Sequence, residues 1–113
     1  MADKLTMWRL DMTGYEVTVE TPDGPSKGTF DVKGSLEQML FNTRLQLEIP
    51  EAFKALDLIE RIKAAEVHIL LDKDDHARLM RAYGALRAPH INAMELLRRI
   101  RDAERVEVEA TVP

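Results

Sequence analysis

Five arginines near the C-terminus are the residues of this sequence whose type and spacing most clearly favour a binding role. Arg98, Arg101 and Arg105 recur at i, i+3 and i+7, the spacing that places side chains along one ridge of a helix. Arg78 and Arg81 are three residues apart and would form a second ridge. A basic unit of two helices can contact phosphates or an acidic protein surface. These five residues are therefore the candidate contacts for nucleic acid or for a protein partner.

The charges around these arginines are unevenly distributed. The chain carries 16 Lys and Arg against 20 Asp and Glu, a formal net charge of −4. Residues 1–75 hold 9 basic and 15 acidic residues, whereas residues 76–105 hold 7 arginines and 3 acidic residues. The negative total disfavours a general nucleic-acid binder. The contrast between the two segments favours pairing of the basic segment with the acidic half of another subunit.

No other residue pattern indicates catalysis or a bound cofactor. The chain has no cysteine, which excludes disulfides, thiol nucleophiles and thiolate metal sites. His68, His76 and His90 are 8 and 14 residues apart, which matches no zinc-site spacing. The string "DKDDHA" begins like a calcium loop but has Ala77 where that loop needs glycine. We therefore expect a non-enzymatic protein with no catalytic residue, no metal and no cofactor.

Alternation of apolar and polar residues predicts strands in the first third of the chain. Trp8, Leu10 and Met12 alternate with polar residues, which indicates a strand with one buried face. A β-hairpin is predicted over residues 15–33, where two further alternations flank the turn-rich string "PDGPSKG" at 22–28.

A short helix and an extended link are predicted next. Ser35, followed three residues later by Gln38, is typical of a helix N-cap, and Asn42 can end that helix. Alternating apolar residues over 45–49 then favour a short strand or an extended link.

The next helix is predicted to start at Pro50, with Phe53 and Leu56 widening its buried face. That face recurs at i, i+3, i+4, i+7 and i+10, at Ala55, Leu58, Ile59, Ile62 and Ala65. The run "VHILL" at 67–71 predicts a strand. The string "DKDD" then predicts a helix capped by Asp72 or Asp74. The face of that helix is Leu79, Met80, Tyr83 and Leu86.

The last helix is predicted to be capped by Asn92 together with Glu95. Its buried face is Ala93, Leu96, Leu97, Ile100 and Ala103. Alternating valines then predict a closing strand over 105–112.

Two similar strings, "RIKAAE" at 61–66 and "RIRDAE" at 99–104, lie 38 residues apart. The same shift superposes the apolar faces of the two helices, and each helix ends at Ala-Glu before a β-prone run. The requirements of a helix that leads into a strand explain this identity, with true duplication or a shared binding role as the alternative. We expect Ile62 and Ile100 to be core residues in equivalent settings.

These elements predict a single α+β domain over 1–113, with a β-hairpin region at 5–33 and a helical region with two short strands at 35–113. We expect a small, mostly antiparallel sheet with three main helices packed on one face. In an alternative topology, the last two strands are adjacent and parallel, and the helices between them form a right-handed crossover.

The strings "LEQMLFN", "RLQL", "LDLIERIKAAEVHILLDKDDHARLMRAYGAL" and "LLRRIRDAERVEV" resemble small uncharacterised proteins encoded by tailed phages and prophages. The resemblance covers about half of the chain and is one of apolar pattern. It is carried by Leu36, Leu40, Asn42, Ile62, Ala65, Leu71, Asp75 and Leu79. It implies a small accessory or assembly protein and carries no site residue onto this sequence.

The leading hypothesis is a soluble cytoplasmic protein that acts through protein–protein contact or self-association. The edge strand at 106–112 offers a pairing surface, which Glu107 and Glu109 would guard. The alternative is a nucleic-acid-associated regulator that uses the arginine ridges. The longest apolar run is three residues, so no membrane contact is expected.

Overall fold

The computed structural model describes residues 4–109, which form an α+β fold, as the sequence predicts. The strands are β1 (Lys4–Asp11), β2 (Glu16–Thr21), β3 (Gly24–Thr29), β4 (His68–Leu71) and β5 (Glu104–Glu109). The helices are α1 (Val32–Leu40), α2 (Ile49–Ala64), α3 (Lys73–Ala85) and α4 (Met94–Arg101), with short 3-10 segments at Thr43–Leu45 and Ile91–Ala93. Within the described range, none of the helices has the length and apolar character needed to span a membrane.

The central sheet consists of three antiparallel strands in the order β4-β1-β5. Trp8 of β1 pairs with Leu71 of β4 on one side and with Arg105 of β5 on the other. The alternative in which the last two strands are adjacent is therefore wrong. β1 is the central strand, and its backbone is hydrogen-bonded to β4 along one edge and to β5 along the other. Residues 110–112 of the predicted last strand lie outside the described range.

β2 and β3 form a separate two-stranded sheet, which is the predicted hairpin. Its turn is shorter than expected, because β3 begins at Gly24 inside the turn-rich string. Gly24 has a φ of 107°, a conformation that suits glycine. Pro25 is tolerated because each strand of a two-stranded sheet has a free edge. The expected continuation of this strand over 30–33 is wrong, since α1 begins at Val32.

α1 is capped by Asp31 rather than by Ser35, so the predicted capping pair is wrong. The Asp31 carboxylate accepts a hydrogen bond from the Gly34 amide at 3.0 Å. A Cβ at residue 34 would collide with this carboxylate, so glycine makes the earlier cap available. Of the two alternatives for 45–49, the strand is absent from the described structure. Asn42 caps a 3-10 segment over Thr43–Leu45, and an irregular link over 46–48 leads into α2 at Ile49.

The caps of the last two helices differ in outcome. Asp72 caps α3 by accepting a hydrogen bond from the Asp75 amide at 2.8 Å, which confirms one of the two predicted caps. The predicted Asn92–Glu95 cap of α4 is wrong. His90 caps the preceding 3-10 segment, because its Nδ1 accepts a hydrogen bond from the Asn92 amide at 3.1 Å.

The helices pack on one face of the central sheet, and the core lies between these two layers. The predicted faces of α2 and α4 are confirmed at Ala55, Leu58, Ile59, Ile62, Leu96, Leu97 and Ile100, all of which are buried. Phe53 and Leu56 were expected to widen the α2 face, but they are 63% and 40% exposed. Their side of α2 has no covering layer, because the helix packs on its opposite side.

The two similar strings end helices in equivalent settings. Ile62 and Ile100 are each 1% exposed, which confirms that both are core residues. Ala65 and Ala103 are half-buried rather than fully buried. α2 and α4 each lead into a strand that pairs with β1, one on either side. The repeated string thus performs the same structural task twice.

Candidate interaction surface

The second face of the central sheet carries apolar side chains outside the core. Residues that are directly paired in an antiparallel ladder point to the same side of the sheet. Met7 pairs with Val106 and Leu5 pairs with Val108, and these positions alternate with Trp8 and Leu10, which pack on the core. Leu70 points to the same side. We call this set the open face, and it consists of Leu5, Met7, Leu70, Val106 and Val108.

The open face remains in contact with solvent. Leu5 is 50% exposed, and the other four residues are partly exposed. None of the five packs against the core cluster between the sheet and the helices. The other end of the same sheet face is polar, with an ion pair between Arg9 and Glu104 and with Asp11 opposite His68. A solvated sheet face usually carries such polar residues, so the apolar half calls for a cover.

β5 lies at the edge of the central sheet and leaves one row of backbone groups without a strand partner in the described chain. The Met12 amide donates to the Val67 carbonyl at 2.8 Å. Met12 therefore directs its backbone groups toward β4, and so does every second residue before it, including Trp8. The residues between them direct their N–H and C=O groups toward β5. It follows that β5 directs three residues' backbone groups outward, those of Arg105, Glu107 and Glu109.

Arg105 is held at this edge by an aromatic stack. Its guanidinium carbon lies 5.8 Å from the ring centroid of Trp8. Trp8 in turn stacks on His76 of α3, with 4.2 Å between the ring centroids. Burial lowers the pKa of His76, because an apolar environment disfavours the charged imidazolium. Arg105 is exposed, and among residues 4–109 no carboxylate is in ion-pair contact with it.

Arg78 and Arg81, the predicted second ridge, are both drawn toward Glu51 of α2. Arg78 donates to Glu51 at 2.6 Å and to Asp75 at 2.8 Å, and its side chain is 11% exposed. Arg61 bonds the other oxygen of Asp75. The hydrogen bond from Arg78 lowers the pKa of Glu51. Arg81 is 3.6 Å from Glu51 and more exposed. Arg78 therefore serves the junction of α2 and α3.

The other predicted ridge is divided between a helix and a strand. α4 ends at Arg101, so Arg105 lies on β5, and the prediction that it continues the helical ridge is wrong. The alternating valines that follow favour a strand over another helical turn. Arg98 pairs with Glu95 at 3.2 Å, and Arg101 pairs with Asp102 at 2.9 Å. Each of these two exposed arginines thus has a carboxylate of its own chain beside it.

Sequence reasoning misses Arg99, which fastens the hairpin to the helical layer. Its Nη1 donates to the Thr13 carbonyl at 2.6 Å, and its guanidinium lies 5.0 Å from the ring centroid of Tyr15. The Tyr15 hydroxyl donates to the Asn92 carbonyl at 2.6 Å and accepts from the first turn of α4 at 3.2 Å. The two similar strings indicate this role, because Arg99 occupies the position in the second string that Arg61 occupies in the first. Each of these arginines bonds to an element other than its own helix.

Within residues 4–109, every buried side-chain nitrogen or oxygen atom has a hydrogen-bond partner. No group of three His, Asp or Glu side chains within 4–109 is arranged to hold a metal. His68 begins β4, His76 stacks on an indole, and His90 caps a 3-10 segment, so the three histidines serve three separate elements. The buried carboxylate of Asp75 is bound by two guanidinium groups.

The open face and the edge of β5 are the features that another chain can use. At one end of the central sheet, the edge strand β5 has apolar side chains on the open face, backbone groups without a strand partner along its outer edge, and Arg105 on the opposite face. Their role has to be inferred from this geometry, because no family model, no curated protein and no solved structure matches the chain.

Proposed function

We propose that this is a non-enzymatic cytoplasmic protein that acts by binding protein, either another chain or a second copy of itself. Binding occurs through the open face and the edge of β5. The observation that carries the proposal is the open face, a set of apolar side chains that the helices of the protein leave outside the core. Apolar side chains beside an unpaired strand edge are what strand-adding partners use.

The binding free energy expected from the open face alone is small, which indicates that the open face and the edge of β5 act together. Full burial of a Val, Leu or Met side chain stabilises by about 1.5–3 kcal/mol. Four of the five residues are already partly buried, so completing their burial would stabilise the complex by only about 1 kcal/mol each. Association itself costs about 4–15 kcal/mol in lost freedom of motion. The apolar contact alone would give weak binding, so backbone hydrogen bonds and charge at the edge have to contribute.

A role in assembling larger structures fits this mode of action. The resemblance to small phage and prophage proteins implies an accessory or assembly protein, which would work by contact rather than by catalysis. Genes for phage head or tail proteins beside this gene would support that role. A neighbourhood of unrelated metabolic genes would count against it.

Sedimentation equilibrium tests the proposal with paired valine substitutions. Val106→Thr with Val108→Thr keeps the β-branched shape that suits a strand and places hydroxyl groups on the open face. Val17→Thr with Val19→Thr is the matched control, because these partly exposed valines belong to the separate hairpin. We expect the wild-type protein and the control to associate equally, and the open-face variant to associate about tenfold more weakly.

Thermal unfolding of both variants separates lost binding from lost folding. Association of the open-face variant with wild-type affinity would contradict the use of this face. A wild-type protein that stays monomeric at every accessible concentration would exclude self-association and leave a different chain as the partner.

A further inference from the structure

We propose that the edge of β5 binds the β5 edge of a second copy, in an antiparallel pairing that places Arg105 of each copy opposite Glu107 of the other. This inference rests on the proposed function and specifies its partner and register. The pairing would join the central sheets of two copies into one continuous sheet. A two-fold axis perpendicular to the sheet, passing between the two copies of Val106, relates them.

The backbone of β5 fits this register. Arg105 and Glu107 both direct their N–H and C=O groups away from β1, as the ladder through Met12 requires. Arg105 of one copy and Glu107 of the other therefore form a hydrogen-bonded pair, in which the N–H of each residue donates to the C=O of the opposite residue. The two-fold symmetry produces a second, identical pair. Val106 faces its own copy in the non-hydrogen-bonded pair between them, where side chains on opposite strands lie closest.

Charge selects this register over its neighbours. A slip by two residues in one direction sets Arg105 opposite Arg105. The same slip in the other direction sets Arg105 against Glu109 but places Glu107 opposite Glu107 at the axis. Like charges that are directly opposite destabilise a sheet. A slip by one residue sets outward backbone groups against inward ones, so the ladder cannot form.

The charged edge therefore discriminates among partners instead of only repelling them. Charged residues on an edge strand usually discourage pairing with other chains. Opposite charges two residues apart behave differently, because an antiparallel copy meets them in reverse order and finds a match. The open faces of the two copies then lie on the same side of the joined sheet and meet at Val106. One contact thus uses both the edge and the face.

Charge reversal, measured by sedimentation equilibrium at low salt, tests the register. Arg105→Glu and Glu107→Arg each convert both attractive pairs into repulsive ones, and each should weaken self-association by about tenfold or more. The double variant R105E/E107R restores opposite charges and should associate within about threefold of the wild-type protein. An equimolar mixture of the two single variants should form mixed dimers, because each copy then meets the opposite charge.

Lys27→Glu on β3 is the matched control for Arg105→Glu, because it also replaces a cation by a carboxylate, but away from the edge, and it should leave association unchanged. Thermal unfolding of each variant checks the fold, since Arg105 also contacts Trp8. A double variant as weak as the single variants would overturn the register, while the valine substitutions on the open face still test the proposed function independently. A wild-type protein that is monomeric at every concentration would overturn the pairing itself.

Discussion

The substitution Asp75→Asn should destabilise the protein by about 2–3 kcal/mol, because it breaks a buried charge cluster. Asp75 is 7% exposed and lies at the junction of α2 and α3, where it accepts hydrogen bonds from Arg61 and Arg78. The substitution keeps the shape of the side chain and one acceptor oxygen. What it removes is the negative charge that balances the two guanidinium groups.

The size of this loss of stability depends on which other partners the two arginines keep when the charge of Asp75 is removed. Removing one partner of a buried ion pair costs about 3–5 kcal/mol when the other charge is left alone. Arg78 is 11% exposed but keeps its hydrogen bond to Glu51 at 2.6 Å. Arg61 is 49% exposed and can be solvated. The cost should therefore fall below the full range, at about 2–3 kcal/mol.

Urea unfolding followed by circular dichroism measures this cost. Asp74→Asn is the matched control, because Asp74 lies in the same first turn of α3 but is exposed. The control should lose only its interaction with the helix dipole, about 0.3–1 kcal/mol. Because Asp75 and Arg78 are largely buried, the difference between the variants should persist at high salt, where surface pairs are screened. Equal urea midpoints for the two variants would refute the reasoning.

The stack on Trp8 and the paired arginines give two further expectations. Burial lowers the pKa of His76 below its ordinary value of 6.5, so stability should fall as the pH falls below that value, where the unfolded chain binds the proton more readily. His76→Phe keeps the stack and should flatten this slope in urea unfolding between about pH 8 and about pH 5.5; an unchanged slope would contradict the assignment. The wild-type protein should not retard duplex or single-stranded DNA at low salt, because Arg78, Arg98 and Arg101 face carboxylates of their own chain. Retardation that is abolished by Arg98→Glu with Arg101→Glu would favour nucleic-acid binding instead.

Periodicity predicts which residues share a side of an element, but not which side meets the rest of the protein. The core faces of α2 and α4 are confirmed because each helix has one packed side. Val106 and Val108 alternate as a strand requires, yet they point away from the helices. Phe53 follows the helical spacing of α2 but lies on its uncovered side. The missing information is the number of layers, which no single element contains.

The sequence of β1 contains the signal for the open face. Trp8 and Leu10 stand at even positions, whereas Leu5 and Met7 stand at odd ones. A strand with apolar residues at both odd and even positions is typical of a strand whose two faces are both covered. In this fold the helices cover one of these faces.

Side-chain partners that are distant in the sequence could not be predicted. Arg78 reaches Glu51 across 27 residues, and this contact exists because α2 packs beside α3. The choice between Asp31 and Ser35 as the cap of α1 is local, but residue type alone does not make it, because both are good caps by type. Asp31 is the cap because Gly34 has no Cβ that would collide with the Asp31 carboxylate. Arginine spacing alone therefore predicts a ridge but not which arginines are free to bind.

Cross-linking at the proposed two-fold axis is a direct probe of the antiparallel pairing between two copies of β5. The chain has no cysteine, so Val106→Cys introduces a single thiol. With Arg105 opposite Glu107, the two copies of residue 106 have Cα atoms about 4.5 Å apart, within the range that a disulfide spans. Val108→Cys is the matched control, because Val108 shares the strand and the face but opposes Glu104 of the second copy. Mild oxidation should yield a covalent dimer from Val106→Cys and monomer from Val108→Cys on a non-reducing gel. Equal cross-linking of both variants, or of neither, would contradict the account.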